Sequence, residues 1–186
     1  VGSQCLKENT SGSDNVGIGY QALDANTSGS NNSAGGTGAL GQNTSASNNT
    51  AFGFIALTSN TSGTNNVALG ANALDANTTQ SNNVAIGYRS LTSQTVADQN
   101  TAVGADCMFT NTEGEYNVAM GFMALYSNTT SNSNTGIGYQ ALLSNTTGTF
   151  NVALGANALD ACTTGDGNVG LGYNALGSQT TGGNNV

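Results

Sequence analysis

A glycine recurs at every seventeenth residue of this 186-residue chain, from Gly2 to Gly172, without an insertion or a deletion. The glycines belong to a longer repeat, close to N-[VT]-[AG]-[ILVF]-G-x-x-A-L-x-x-N-T-[ST]-G-x-N, which accounts for the whole sequence. A short and strict period of this kind is typical of solenoids and repeat arrays. The sequence therefore predicts one repetitive segment, residues 1–186, that builds length or a periodic surface.

The first half of the repeat has the pattern of a β-strand. We number the repeat from its asparagine, so that Asn15 occupies position 1 and Gly19 position 5. Positions 2 and 4 are mostly Val, Thr or large apolar residues, and position 3 is only Ala or Gly, an alternation that predicts a strand. We expect positions 2 and 4 to lie in the core and position 3 to lie on a closely approached face. Residues 32–48, with Ser33 and Gly35 at positions 2 and 4, should then form the weakest coil.

The second half of the repeat predicts a return to the core and a turn. Position 9 is Leu in ten copies and Met108 in the other, which suggests a second short strand with its Leu directed inward. The N-T-[ST]-G-x-N segment has the residues of a turn. Neither half offers enough helix-forming residues for a helix. The fold class predicted is all-β, a β-solenoid or β-roll of eleven 17-residue coils, about 50 Å long at the usual strand spacing.

Stacked identical coils place identical side chains above one another. Asn at positions 1 and 12 should form buried amide ladders, and Thr at position 13 should form a hydroxyl ladder. Each coil offers little apolar area against the entropy of ordering seventeen residues, so we expect further burial against other copies, in a homo-oligomer.

The amino-acid composition limits the classes of partner that we expect the chain to bind. Only 6% of residues are charged, and the net charge of −8 leaves Lys7 and Arg89 as the only basic side chains. We therefore expect no nucleic-acid binding, which needs a basic surface. No apolar run approaches the roughly 18 residues of a membrane span, so no membrane insertion is expected. The chain begins and ends in mid-repeat, and we expect it to be a fragment of a longer fibre.

Two segments carry a family resemblance. Residues 134–150 (NTGIGYQALLSNTTGTF) and 117–133 (NVAMGFMALYSNTTSNS) resemble the repeats of phage tail fibres that precede intramolecular-chaperone domains. The N-V-A-[IL]-G core is also similar to the head repeat of trimeric autotransporter adhesins, whose coil is shorter. The resemblance implies an intertwined or side-by-side homotrimer in an extracellular, cell-surface or virion fibre. It also implies a spacer that presents a receptor-binding end, with a cell-surface glycan or receptor as a partner.

No motif in the sequence predicts catalysis. The stretch Gly17–Ala22 matches G-x-G-x-x-A, but that pattern needs a following helix to bind a dinucleotide. The chain has no His, and its acidic residues, mainly at positions 10 and 16, lie mostly several coils apart. We expect no enzyme, no cofactor, and no catalytic, cofactor-binding or metal site. Cys5, Cys107 and Cys162 are too far apart for a disulfide and are expected to be packing residues.

Three periodic features leave alternative functions open. The first is an aromatic row at position 6, which could fill an inter-chain groove or stack on sugar rings: Tyr20, Phe54, Tyr88, Phe122, Tyr139 and Tyr173. The second is a set of nine N-x-[ST] sequons, which would be glycan sites in a secreted eukaryotic filament: Asn9, Asn26, Asn31, Asn43, Asn48, Asn60, Asn77, Asn128 and Asn145. The third is the Thr column at position 13, which resembles the arrays of ice-binding solenoids.

Overall fold

The computed structural model describes residues 1–186 as a β-solenoid without helices. Each strand contains positions 2, 3 and 4 of one repeat. The ten strands are β1 (Val16–Ile18), β2 (Ser33–Gly35), β3 (Thr50–Phe52), β4 (Val67–Leu69), β5 (Val84–Ile86), β6 (Thr101–Val103), β7 (Val118–Met120), β8 (Thr135–Ile137), β9 (Val152–Leu154) and β10 (Val169–Leu171). The prediction of an all-β solenoid is confirmed. Ten of the eleven predicted coils contain a strand, and residues 1–14 contain none.

The strands form one parallel sheet in chain order, β1 to β10. Every pairing joins a residue to the one seventeen positions later, as in Val16 with Ser33 and Ala85 with Ala102. Nine such steps at about 4.8 Å each make the sheet roughly 43 Å long. The period of the sequence is therefore the register of the sheet.

Hydrogen bonding between coils continues around the whole coil. Of 117 backbone hydrogen bonds, only 18 lie within the strands. Outside them, the Leu23 N–H donates to the Ala39 carbonyl oxygen at 3.0 Å, and the Thr27 N–H donates to the Thr44 carbonyl oxygen at 2.9 Å. Each coil is thus bonded to the next along most of its length, and the short strands are only its most regular part.

The expected second strand is absent, because the Leu of position 9 adopts a left-handed backbone conformation. Leu23, Leu74 and Leu159 have φ values of 53°, 55° and 52°. Their side chains are nevertheless fully buried, as the sequence predicts. Left-handed φ costs an ordinary residue about 1–2 kcal/mol and is a marked outlier for β-branched side chains. This is a steric reason for the absence of Ile and Val from position 9, although Ile55 at position 7 adopts φ 47°.

The glycine of position 5 is required by both conformation and contact. Gly87 has φ +130°, and a Cβ built on it would lie 2.5 Å from the carbonyl carbon of Gly104 in the next coil. The glycine column is therefore the line along which successive coils approach most closely. At Gly172 in the last complete coil, φ is +116° and a Cβ would meet nothing within 4 Å.

The strand faces are opposite to the predicted arrangement. Position 3 points into the core, where Ala34, Ala68 and Ala102 are completely buried, and positions 2 and 4 point outward. The prediction that positions 2 and 4 form the core is wrong, because the coil is narrow and only Ala or Gly fits on its inner side. The argument that residues 32–48 form the weakest coil fails with it, since Ser33 and Gly35 lie on the outer side.

The predicted amide ladders are present inside the coil. Asn66 and Asn83 of position 1 are fully buried, and the Asn83 N–H donates to Asn66 Oδ1 at 3.0 Å. At position 12, Asn43 Nδ2 donates to Asn26 Oδ1 at 2.8 Å and to the Ala46 carbonyl oxygen at 3.0 Å. Buried polar groups are stable only when they are hydrogen-bonded. Here each asparagine bonds to its copy in a neighbouring coil.

Candidate interaction surfaces

The outward side of the sheet is an apolar surface. We call positions 2 and 4 of the repeats, on strands β1 to β10, the outer sheet face. Ile18 is 52% exposed, Leu154 is 49% exposed and Leu171 is 63% exposed. No Asp, Glu, Lys or Arg occurs on the outer sheet face. An exposed apolar patch that extends over a whole sheet is the usual sign of an interaction surface.

The aromatic row of position 6 borders the outer sheet face and is about half exposed. Tyr20 and Tyr139 are 49% and 51% exposed. We number the coils from the repeat that begins at Asn15, so that residues 15–31 form coil one. Only in coils seven and eight do neighbouring repeats both carry an aromatic ring, and Phe122 and Tyr139 stack there with ring centroids 5.8 Å apart. The rings are not covered by their own chain, so both the inter-chain and the sugar-stacking interpretations of this row stay predictions.

The Thr column at position 13 bonds the coils to one another. Thr44 Oγ1 donates to the Thr61 carbonyl oxygen at 3.1 Å, and Thr61 Oγ1 donates to the Thr78 carbonyl oxygen at 3.1 Å. The ladder therefore joins hydroxyls to carbonyls rather than hydroxyls to one another. Eight of the eleven hydroxyls of the column donate in this way, all except those of Thr78, Thr95 and Thr180. Because most of the hydroxyl protons are used within the solenoid, this column does not support the ice-binding alternative.

Most of the glycosylation sequons are inaccessible. The asparagines of six sequons are completely buried at position 12: Asn26, Asn43, Asn60, Asn77, Asn128 and Asn145. The other three, Asn9, Asn31 and Asn48, are exposed. An oligosaccharide cannot be attached to a side chain inside the coil, so position 12 belongs to the amide ladder and not to a row of glycans.

The acidic residues are dispersed over the surface, as their spacing predicts. No group of three or more Cys, Asp or Glu side chains is close enough to hold a metal ion. Asp166 Oδ1 accepts bonds from the Thr149 N–H at 2.6 Å and the Thr149 hydroxyl at 2.9 Å. These bonds lower the pKa of Asp166, the backbone bond having the larger effect. Arg89 pairs with Asp106 at 2.8 Å in the next coil.

The three cysteines are free thiols, and two of them are fully buried. Burial raises the pKa of Cys107 to about 12, and it also raises the pKa of Cys162. The Cys107 thiol donates to the Ala119 carbonyl oxygen at 3.4 Å. Cys107 and Cys162 take the places of Ala and Asn in other repeats, so the interpretation of both as packing residues is consistent with their burial.

The G-x-G-x-x-A stretch does not lie in a nucleotide-binding arrangement. Gly17 and Ile18 belong to β1, and the following residues form a turn rather than a helix. Without a helix N-terminus, the backbone cannot direct aligned N–H groups at a pyrophosphate. This stretch is the ordinary strand and turn of the repeat with Gly at position 3.

A polar notch interrupts the surface at coil two and was missed in the sequence. Its volume is about 260 Å³, and it is lined by Gln21, Asp24, Gly38, Gly41, Gln42 and Thr58. Position 7 and position 10 are both Gly only in this repeat, at Gly38 and Gly41. Two glycines at variable positions of one coil were therefore the available signal. A second concavity, of about 290 Å³, lies at the last strand beside Leu171 and Leu176.

None of the chain folds into a helix long and apolar enough to cross a membrane. Comparison of the chain with models of protein families, with curated proteins and with solved structures gave no match.

Proposed function

We propose that this chain is the stiff repeat region of an extracellular or virion fibre, and that copies of it associate through the outer sheet face into a homotrimer. The observation that carries the proposal is the uncharged and mainly apolar surface formed by positions 2 and 4, in which only Ser33, Gly35 and three Thr residues of position 2 are not apolar. The fibre assignment also rests on the resemblance of the repeats to those of tail fibres and adhesins.

The outer sheet face, taken together with the glycine column and the aromatic row beside it, has the size of a stable interface. Ten strands at about 4.8 Å by five residues at about 3.3 Å, positions 2 to 6, give roughly 800 Å². Stable interfaces typically bury about 800 Å² on each partner. The aromatic row, with Tyr88 52% exposed and Phe122 43% exposed, adds side chains of the type enriched at interface centres.

The interior of the solenoid also favours association. Each coil buries one large apolar side chain, such as Leu57 or Leu125, and its other buried residues are small or polar. A core of this kind contributes little hydrophobic stabilisation per residue. Covering Phe52, which is 44% exposed, and the partly exposed Leu69 and Ile86 would add apolar burial outside the coil.

A spacer role follows from the continuity of the coils. Hydrogen bonds join every coil to the next, and no repeat contains an insertion that would form a loop. Such a rod holds whatever lies at its ends at a fixed separation. A receptor-binding end carried by a longer chain would be presented in this way.

The experiment is to place a charge in the centre of the outer sheet face. In Ile86→Lys, the substituted side chain points outward, so the coil should still form, but an uncompensated charge would enter the interface. Ser62→Lys is the matched control, because Ser62 is exposed at position 14 and away from the sheet. Both variants and the unaltered chain are compared by sedimentation velocity and circular dichroism.

The unaltered chain and Ser62→Lys should sediment as species three times the 18.4 kDa chain mass. Ile86→Lys should sediment as a smaller species with a β-rich spectrum. A folded monomer of the unaltered chain, or a trimer that Ile86→Lys leaves intact, would contradict the proposed assembly.

A further inference from the structure

One junction between successive coils lacks hydrogen bonds that the other junctions make. We call positions 11 to 15 of each repeat, residues 76–80 in coil four, the turn edge. At every other junction the backbone N–H of the Thr at position 13 donates to the carbonyl oxygen of the next Thr in that column, as Thr61 does to Thr78 at 2.8 Å. Between coils four and five, the Thr78 N–H does not bond to Thr95, whose carbonyl oxygen accepts no backbone hydrogen bond. The turn edge is therefore open at this junction.

A side chain of coil four takes the place of the missing partner. Gln80 Oε1 accepts the Thr79 N–H at 3.0 Å and the Thr78 N–H at 3.3 Å. One coil earlier, the equivalent N–H groups of Thr61 and Ser62 both donate across the junction to the Thr78 carbonyl oxygen. Gln80 occupies position 15, where the other repeats have Gly, Ala or Ser. Gln80 thus satisfies the donors of its own coil and leaves the next coil unbonded at this edge.

The residue at position 15 determines how closely two coils approach at the turn edge. A Cβ built on Gly63 would overlap the Gln80 carbonyl oxygen in the next coil. The position-13 backbone bond measures 2.7–3.0 Å at junctions where position 15 is Gly, and 3.3 Å where it is Ala46, Ala97 or Ser131. The bond is lost only at Gln80. Any side chain at position 15 therefore lengthens the bond, and the longest one breaks it.

A gap in the amide ladder does not open a junction by itself. Asn77 Oδ1 and Gln94 Nε2, from successive copies of position 12, are buried and unpartnered. Cys162 interrupts the same ladder and leaves Asn145 Oδ1 unpartnered. The position-13 backbone bond across that junction nevertheless measures 2.9 Å. The opening between coils four and five therefore follows from Gln80, and the unpartnered amides inside weaken the junction further.

The opposite side of the same junction is fully bonded. The Gly87 N–H donates to the Leu69 carbonyl oxygen at 2.7 Å, and the Leu74 N–H donates to the Ser90 carbonyl oxygen at 3.0 Å. Strands β4 and β5 also pair in the same register as the other strands. Two coils that are bonded on one side and open on the other can part only about the bonded side.

We infer that the junction between coils four and five is a hinge, at which the turn edges part while the sheet side stays paired and the rod bends away from the turn edge. Because coils contact only their neighbours, the coupling between the two halves of the rod depends on this one junction. Segments whose backbone hydrogen bonds are few and exposed open at low free energy. The inference does not depend on the proposed fibre, since every contact lies within one chain. A spacer built from this chain would be two stiff segments joined at one bend.

The test is hydrogen exchange of the full chain, followed amide by amide by NMR and corrected for the intrinsic rates. The Thr78 amide should exchange at least about tenfold faster than the Thr61 amide, its equivalent one coil earlier. On the sheet side, the Gly87 amide should exchange as slowly as the Gly70 amide. Equal rates at Thr78 and Thr61 would overturn the inference. So would fast exchange at Gly87, since the whole junction would then be opening.

Substitution of Gln80 identifies the cause. Gln80→Gly, which introduces the residue of most repeats at position 15, should slow exchange at Thr78 at least about tenfold. Gln80→Ala keeps the Cβ found at Ala46 and should slow it to the rate at Thr44. Ala46→Gly is the matched control, because it removes a side chain from the same column at a junction whose bonds are already made. This control should leave exchange at Thr78 unchanged. If Gln80→Gly and Gln80→Ala both leave Thr78 exchanging as fast as before, the hinge is refuted.

Discussion

The backbone N–H of Asn117 donates to the side-chain Oδ1 of Asn100, one coil away, at 2.9 Å. Asn117 Oδ1 in turn accepts the N–H of Asn134 at 2.9 Å, and its Nδ2 donates to the Ser131 carbonyl oxygen at 2.8 Å. The buried Asn117 side chain thus bonds its coil to the next one through Oδ1. Through Nδ2 it also joins the two ends of its own coil. This relationship explains why position 1 is asparagine in every copy, since no other side chain of this length carries both a donor and an acceptor.

Replacing Asn117 should therefore destabilise the rod locally. In Asn117→Ala, the Asn134 N–H loses its acceptor inside the coil, which should cost about 1–3 kcal/mol. Thermal unfolding followed by circular dichroism, with hydrogen exchange at Asn134, measures the effect. Thr130→Ala, at an exposed position, is the control and should change stability little. Equal melting temperatures for the two variants would contradict the ladder.

Asn117→Asp distinguishes the donor from the acceptor. The carboxylate keeps the acceptor for Asn134 but turns a negative charge toward the Ser131 carbonyl, and burial should raise the pKa of this carboxyl in the folded state. A raised folded pKa means that the stability is complete below the unfolded pKa and is lost as pH rises through the folded pKa. Asn117→Asp should therefore be more stable relative to the unaltered chain at acid pH than at neutral pH. A constant difference in melting temperature would show that the donor is unimportant.

The glycine column gives a prediction with an internal control. Gly87→Ala would bring a Cβ to 2.5 Å from the Gly104 carbonyl, whereas Gly172→Ala would meet nothing within 4 Å. Both positions have left-handed φ, so both variants carry the conformational cost. Gly87→Ala should be less stable than Gly172→Ala by at least about 2 kcal/mol, the range of steric errors in a core. Comparable melting curves for the two would show that conformation alone selects glycine.

The left-handed leucines should reject β-branched residues. Leu74→Ile preserves volume and hydrophobicity but places a branched Cβ at φ 55°. Leu74→Met is the control, because Met108 occupies the same position at φ 49°. We expect Leu74→Ile to be less stable than Leu74→Met by at least about 1 kcal/mol. The reverse order in chemical denaturation would refute this account of position 9.

The buried thiol of Cys107 should make the chain sensitive to alkali. Its folded pKa of about 12 exceeds the ordinary thiol value of 9.0, so its contribution to stability is complete below pH 9 and is lost as pH rises toward 12. Cys107→Ala, with the residue that most repeats carry, should lose less stability between pH 8 and pH 11 than the unaltered chain. Melting temperatures that fall in parallel for both chains would contradict the assignment.

The sequence predicted the coil but not which side of its strand faces inward. Alternation along Val84, Ala85 and Ile86 shows that the middle side chain faces the opposite side from its two neighbours, but it does not show which side is inside. Hydrophobicity alone would place the two larger residues inside. The structure places Ala85 inside because buried asparagines and Leu91 already fill the narrow coil. The informative signal was the restriction of position 3 to Ala and Gly, which is a steric limit rather than a sign of an approached surface.

Two further features of the structure could not be predicted from the conformational preferences of the individual residues. Leu91 has an apolar side chain typical of a strand, and only the absence of Ile and Val from its column indicated the left-handed backbone. The notch beside Asp24 could not be recognised without knowing that Gly38 and Gly41 lie on one side of the coil. The register, by contrast, followed directly from the glycines, because coils of equal length can stack in only one way.

The seventeen-residue register also determines how the molecule would respond to force. Each coil contributes about 4.8 Å along the axis but contains enough chain to extend about 56 Å, so every coil that peels away would release roughly 50 Å. Coils are bonded only to their neighbours, so they can detach one at a time from an end. A single chain pulled in an optical trap should lengthen in steps of that size, or in multiples of it. The rod would then be a store of extensible length that takes up a sudden pull before its attachment points bear the full load.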